Sequence, residues 1–132
     1  MIVDDAPDFG ILLQRIMRGY EVRQEQTATA ALAGAYFWKP DLFILDLKLP
    51  DMNGTALARV IREDERLRTI PIIYISASLE AGEKDCSPGQ HDGCPAFGKP
   101  FDLCTLRRCV DEMLAGRRGG SAAEAMDKRA SA

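Results

Sequence analysis

No stretch of this sequence approaches the ~20 consecutive apolar residues that a membrane-spanning helix requires, and its first residues lack the layout of a secretory signal. The expectation is a cytoplasmic protein without membrane contact. Basic charge is not in surplus either: 17 Lys+Arg face 20 Asp+Glu, for a formal net charge of −3. Affinity for a nucleic-acid backbone needs a basic field, so direct nucleic-acid binding is excluded as the main role. Arg117-Arg118 is too short a run to change that. Cysteine is sparse, at Cys86, Cys94, Cys104 and Cys109. Four are too few to staple a chain of 132 residues, and a core of this size needs no staples. There is no internal repeat. With 46% hydrophobic and 28% charged residues, the composition is that of a globular domain, and the length fits one domain rather than two.

What is present is an alternation of short apolar runs with helical periodicity. Met1-Ile2-Val3 reads as a first strand. Pro7 opens a helix in which Phe9, Leu12, Leu13, Ile16 and Met17 share a face, and Gly19 ends it. Glu21 to Glu25 is a weak second strand resting on Val22. Thr27 to Trp38 is an alanine-rich helix with Pro40 beyond its end. Leu42-Phe43-Ile44-Leu45 and Pro71-Ile72-Ile73-Tyr74-Ile75 are continuous apolar runs, as strands buried on both faces require. Between them lie a loop dense in turn chemistry, Lys48 to Gly54, and a helix from Thr55 to Glu65 with Leu57, Val60 and Ile61 inward. Pro95 to Gly98 reads as a short fifth strand, and Asp102 to Ala115 as a final helix aligning Leu103, Leu106, Val110, Met113 and Leu114. This βαβ rhythm predicts right-handed crossovers and a doubly wound parallel sheet. One helix is missing from it. Residues 77–94 hold three glycines and a proline and show almost no apolar periodicity, so the fourth helix is expected to be short or replaced by loop. Residues 1–115 are expected to form the domain and residues 116–132 a flexible tail.

Polar residues follow the apolar strands: Asp4 and Asp5 after the first, Asp46 after the third, Ser76 after the fourth and Lys99 after the fifth. In an open parallel sheet these ends share one edge, where ligands bind. Three clustered carboxylates repel one another unless a hard cation neutralises them, and an all-oxygen set suits Mg²⁺. A lysine and a hydroxyl aimed at the same point suit a phosphoryl group, and a carboxylate can itself be the nucleophile.

The segments Ile-Val-Asp-Asp-Ala-Pro, Leu-Phe-Ile-Leu-Asp-Leu-Lys-Leu-Pro-Asp-Met-Asn-Gly, Pro-Ile-Ile-Tyr-Ile-Ser-Ala and Gly-Lys-Pro-Phe, in this order, resemble the receiver domain of two-component response regulators over residues 1–115. The resemblance implies an α/β, flavodoxin-like, five-stranded parallel sheet of order 2-1-3-4-5. It implies phosphotransfer to Asp46 from a sensor histidine kinase or a histidine phosphotransfer protein, with Mg²⁺ as cofactor and Mn²⁺ able to substitute. By the same match, Asp4, Asp5 and Asp46 hold the metal together with the backbone carbonyl of Lys48. Ser76 is the switch hydroxyl, and Lys99 binds the phosphoryl group. Such a domain is a signalling phosphoacceptor rather than an enzyme with an external substrate. It would be a monomer or weak dimer that passes its signal to a downstream protein.

The sequence also departs from that family. The family's aromatic three residues before the lysine is Ala96 here, with Phe97 one position late: a bulge or one-residue slip near Pro95 would let Phe97 serve in its place, whereas alternation along a regular strand faces it the other way, into core packing. Cys86, His91 and Cys94, with Cys104 or an aspartate, could supply zinc ligands, and a Cys86–Cys94 disulfide is the alternative. Two other function classes stay open. One is a pseudo-receiver that signals by protein contact without phosphate. The other is a carboxylate-nucleophile phosphatase, although Lys48 stands where its second aspartate is wanted.

Overall fold

The computed structural model describes residues 1–76, 89–91, 94–98 and 102–119. In chain order the elements are β1 (Ile2–Val3), α1 (Pro7–Ile16), β2 (Gln24–Glu25), α2 (Ala28–Trp38), β3 (Phe43–Asp46), α3 (Gly54–Glu63), β4 (Ile72–Ser76), β5 (Gly89–His91), β6 (Cys94–Gly98) and α4 (Leu103–Gly119). Five parallel strands run in the order β2-β1-β3-β4-β6, the 2-1-3-4-5 sequence of a flavodoxin-like sheet. The register is continuous across its centre: Ile2 lies opposite Ile44, Leu45 opposite Tyr74, and Ile75 opposite Phe97.

The continuous apolar runs bury both faces of the sheet because successive side chains alternate sides. Val3, Phe43, Leu45, Tyr74 and Ala96 pack with Ala28, Ala31 and Ala35 of α2 and with Leu57, Ala58 and Ile61 of α3. Ile2, Ile44, Ile73, Ile75 and Phe97 pack on the opposite face with Leu13 of α1 and with Leu106, Val110 and Leu114 of α4. Burial of a Leu, Ile or Phe is worth about 1.5–3 kcal/mol, so these two layers are the main stabilising term. The alanines of α2 let that helix lie close to the sheet.

Local sequence explains most helix ends. Pro7 sits in the first turn of α1. The Thr27 side chain accepts from the Ala30 N–H at the start of α2, and the Asn53 side chain accepts from the Ala56 N–H at the start of α3. Lys39 closes α2 in the left-handed region at φ 51°, its N–H donating to the Ala35 carbonyl. Arg107 donates from Nη1 to the Ile16 carbonyl and from Nε to Asp111, which also accepts from the Tyr20 hydroxyl, so α4 is clasped to the end of α1.

Several expectations need correction. Leu12, on the apolar face expected of α1, is 41% exposed, and Val60, expected inward, is 38% exposed. Leu12 lies at the margin of the stripe formed by Phe9, Leu13 and Ile16, and the small Ala58 takes the inward place expected of Val60. The second strand is confined to Gln24–Glu25, while Val22 packs from the loop before it. Residues 89–91 are not loop: β5 pairs antiparallel with β6, Gly89 opposite Ala96 and His91 opposite Cys94, and widens the sheet to six strands. Asp92-Gly93, between the two strands in sequence, is the dipeptide that short hairpins favour. The expectation of a short helix or loop in residues 77–88 lies outside the described residues. The final helix continues past Ala115 to Gly119, and the rest of the expected tail is likewise outside the described residues.

Candidate functional site

β1, β3 and β4 end on the same edge of the sheet. Asp46 is the last residue of β3 and lies opposite Ile75; Ser76 ends β4 one residue further on, opposite Gly98 of β6. Asp4 follows β1 directly, its N–H donating to the Glu25 carbonyl as a continuation of the sheet. The parallel register therefore delivers these residues to one rim, as expected for a site at strand C-terminal ends.

The structure brings three of the candidate residues into one cluster. Carboxylate oxygens of Asp4, Asp5 and Asp46 lie within 4.8 Å of one another. Asp4 and Asp46 are buried at 0% and 7% exposure, whereas Asp5 is exposed. Ser76 is fully buried at the end of β4. Lys99 lies outside the described residues, immediately after Gly98 in sequence.

Local hydrogen bonds set the two buried carboxylates. Oδ1 of Asp4 accepts from the Ala6 N–H at 2.8 Å, and Oδ1 of Asp46 accepts from the Lys48 N–H at 3.0 Å. Both are tight turns in which a carboxylate bonds the backbone two residues on, a habit of aspartate. The Lys48 side chain is exposed, and its backbone pairs with Asn53 across the loop. An all-carboxylate, oxygen-only donor set of this size fits a hard divalent cation such as Mg²⁺. Soft metals would want sulfur or imidazole.

Three contacts around the site were not legible in the sequence. The Gln24 amide donates to the Asp4 and Ala6 carbonyls. Gly54 lies against the Asp46 backbone, where a Cβ would sit 2.3 Å from the Asp46 carbonyl oxygen. Asp51, in the loop after Asp46, reaches across to the start of α2 and accepts from the N–H groups of Ala28 and Thr29 and from the Thr29 hydroxyl. Only Gly54 left a local signal, as the close of a turn-rich loop.

The hydrogen bonds to Asp51, that from the Thr29 hydroxyl foremost, lower its carboxyl pKa from 3.8 to about 2. A depressed folded-state value contributes stability above the unfolded value and loses it as pH falls through the folded one. Asp51→Ala should therefore narrow the stability difference from wild type between pH 3.8 and about 2. Urea unfolding at pH 5 and at pH 2 checks this, and a difference independent of pH would contradict it.

The structure also bears on the departures noted in the sequence. Phe97 is 3% exposed and packs among Leu106, Val110 and Ile75, while Ala96 faces the opposite layer, opposite Tyr74. Phe97 is thus a core residue. Cys94, Cys104 and Cys109 are free thiols, and the Cys94 sulfur accepts from the Arg62 guanidinium. Cys86 and the His91 side chain, needed for the zinc or disulfide alternatives, lie outside the described residues.

A family model described as the response regulator receiver domain matches residues 1–111. The chain is 34% identical over 118 residues to the DNA-binding dual master transcriptional regulator RpaA of Synechocystis, covering 87% of this chain and 45% of that protein. It is 29% identical over 125 residues to response regulator Rre1 of the same organism, covering 92% of this chain and 53% of the relative. The chain therefore spans about half the length of these curated relatives. Among solved structures, a response regulator from Chloroflexus aurantiacus superposes with a TM-score of 0.72 at 31% identity, covering 86% of this chain and 94% of that one.

Proposed function

Since this chain belongs to the response regulator receiver domain family, and so to two-component signalling, we propose that Asp46 accepts a phosphoryl group from a phosphohistidine donor in a reaction that requires a divalent cation. The donor is a sensor histidine kinase or a histidine phosphotransfer protein. The observation that carries this reading is the convergence of the Asp4, Asp5 and Asp46 carboxylates within 4.8 Å at one rim of the sheet.

An oxygen of the Asp46 carboxylate attacks the donor phosphorus. A P–O bond forms as the P–N bond to the donor imidazole breaks, the electron pair stays on that nitrogen, and because the other ring nitrogen carries a proton the donor leaves as neutral imidazole. The Lys48 N–H on Oδ1 fixes how the carboxylate is turned for this attack. Asp4, Asp5, Asp46 and the Lys48 backbone carbonyl would hold Mg²⁺, or Mn²⁺ in its place. The ion supplies charge neutralisation for the carboxylates and the transferred oxygens. The Lys99 ammonium pairs with a phosphoryl oxygen, and the Ser76 hydroxyl donates to another. The Ser76 contact couples the phosphoryl group to a protein-interaction surface, which a downstream protein reads. Residues 1–115 are the unit that does this, in the cytoplasm, as a monomer or weak dimer. No described helix is long and apolar enough to cross a membrane. The domain catalyses only its own phosphorylation and dephosphorylation.

One observation favours the other reading, a pseudo-receiver acting by contact alone. Ala96 cannot act as a mobile aromatic, and Phe97 is committed to the core. Incubation with acetyl phosphate and Mg²⁺, read by intact mass, separates the two. The expected result is a gain of about 80 Da, the mass of one phosphoryl group on a carboxylate nucleophile, that disappears with EDTA. No gain, together with no binding of Mg²⁺, would establish the pseudo-receiver instead.

A further inference from the structure

The loop that carries Asp5 is short and bears adjacent acidic residues, so without a cation mutual repulsion pushes Asp5, the exposed member, away from the two buried carboxylates. Something must oppose that push if the site is to exist before the ion arrives. β2 supplies it. The Nε2 group of Gln24 has two hydrogens, and it donates at 2.9 Å to the Asp4 carbonyl and at 2.8 Å to the Ala6 carbonyl. These two carbonyls flank Asp5. A single planar amide therefore spans the residue on both sides, which neither a hydroxyl nor a carboxylate could do with two donors.

The amide reaches that position only because of a second residue. Gly10 of α1 is buried, and a Cβ there would lie 1.9 Å from Gln24 Oε1 and 2.4 Å from its Cδ. A helix interior ordinarily disfavours glycine, and the absence of a side chain at this position is what gives the amide its clearance.

We propose that Gln24 is a positioning residue for the divalent-cation site, its amide clamping the Asp4–Ala6 backbone so that Asp5 faces Asp4 and Asp46, and that Gly10 serves this clamp by leaving room for it. The inference rests on the reading of these three aspartates as cation ligands. Residues that hold a metal ligand from behind typically change affinity by 10–100-fold. Gln24 acts on one ligand of the set, so about a tenfold loss is expected.

The 132-residue chain, titrated with Mn²⁺ alone and followed by water proton relaxation, supplies the test. Gln24→Ala should bind Mn²⁺ about tenfold more weakly than wild type. Gly10→Ala should do the same, because its methyl displaces the flexible amide rather than the backbone. The double variant should be no weaker than Gln24→Ala alone, since the methyl then has nothing to displace. The thermal midpoint of metal-free Gly10→Ala should not fall with its affinity, because alanine favours the helix interior; general damage to the fold would lower both. If wild type binds Mn²⁺ and either single variant binds equally well, or if the two losses multiply in the double variant, the clamp is wrong while the cation site stands. If wild type itself fails to bind, the cation site falls and the clamp with it.

Discussion

Asp46→Asn is expected to take up no phosphoryl group from acetyl phosphate, and in metal-free buffer to unfold at a higher temperature than wild type. The first effect follows from chemistry: an amide is neutral and a far weaker nucleophile than a carboxylate, and it cannot form the acyl phosphate. The second follows from charge. Three carboxylates have oxygens within 4.8 Å of one another, and two of the three are buried. One such pair in a medium of effective dielectric ~20 repels by about 3 kcal/mol. Solvent reaching the exposed Asp5 reduces this, so a net gain of about 1–2 kcal/mol is expected, or several degrees in Tm for a chain of this length. Asparagine keeps the shape and can still accept from the Lys48 N–H. Saturating Mg²⁺ should shrink the gain, because the ion removes from wild type the repulsion that the variant lacks. Calorimetry with and without Mg²⁺, beside intact mass, reads both effects. A variant with unchanged Tm would show that the cluster is already relaxed, and one that still gains a phosphoryl group would move the acceptor elsewhere.

The other large effect belongs to Gly54→Ala. On helix propensity alone this substitution at the start of α3 would stabilise the fold by up to about 1 kcal/mol. The structure reverses the sign. The new Cβ would lie 2.3 Å from the Asp46 carbonyl oxygen, 2.9 Å from Leu47 Cα and 3.0 Å from the Asp46 carbonyl carbon. All three are backbone atoms, so no side chain can rotate away. The same backbones are joined by the Gly54 N–H donating to the Leu47 carbonyl at 2.8 Å, which pulls α3 toward the collision. Either α3 slides outward and opens the core beneath Leu57 and Ile61, or the end of β3 moves and carries Asp46 with it. A loss of about 3 kcal/mol is expected, at the upper end for overpacking. The initial rate of phosphorylation should fall at least about tenfold, because a displacement approaching 1 Å at a reacting group is costly. Urea unfolding and the rate with acetyl phosphate check the pair. Wild-type stability with a slowed rate would mean that the strand end yields and the helix does not. A stabilised, fully active variant would contradict the close approach.

The two predictions differ in where their grounds lie. Asp46 is marked in the sequence by four apolar residues before it and a turn-rich loop after it, and those features are local. Gly54 is marked only as part of that loop, and its importance comes from a backbone eight residues earlier in the chain. The same contrast runs through the molecule. Strand positions and their two buried faces were legible because alternation and apolar runs are properties of neighbouring residues. The helices were legible in position and less so in facing: Leu12 and Val60 have the right spacing but fall at the edge of what the sheet covers. β5 was missed because glycine and a polar pair carry no apolar signal, and its pairing with β6 is a contact between strands.

The sequence by itself determined the alternating order of strands and helices, the layers they bury, and the kinds of chemical group placed just after each strand. These depend on spacing of two or of about three and a half residues, which short-range sequence records. Only the tertiary structure decided that Asp4, Asp5 and Asp46 stand within 4.8 Å, that Asp51 holds the start of α2, and that Gln24 reaches the acidic loop through the clearance at Gly10. Apart from the adjacent Asp4 and Asp5, those partners are separated by 14 to 42 residues, and no periodicity links them. They meet because the parallel register brings the strand ends to one rim, and the distances there are set by the packing of the two layers behind it.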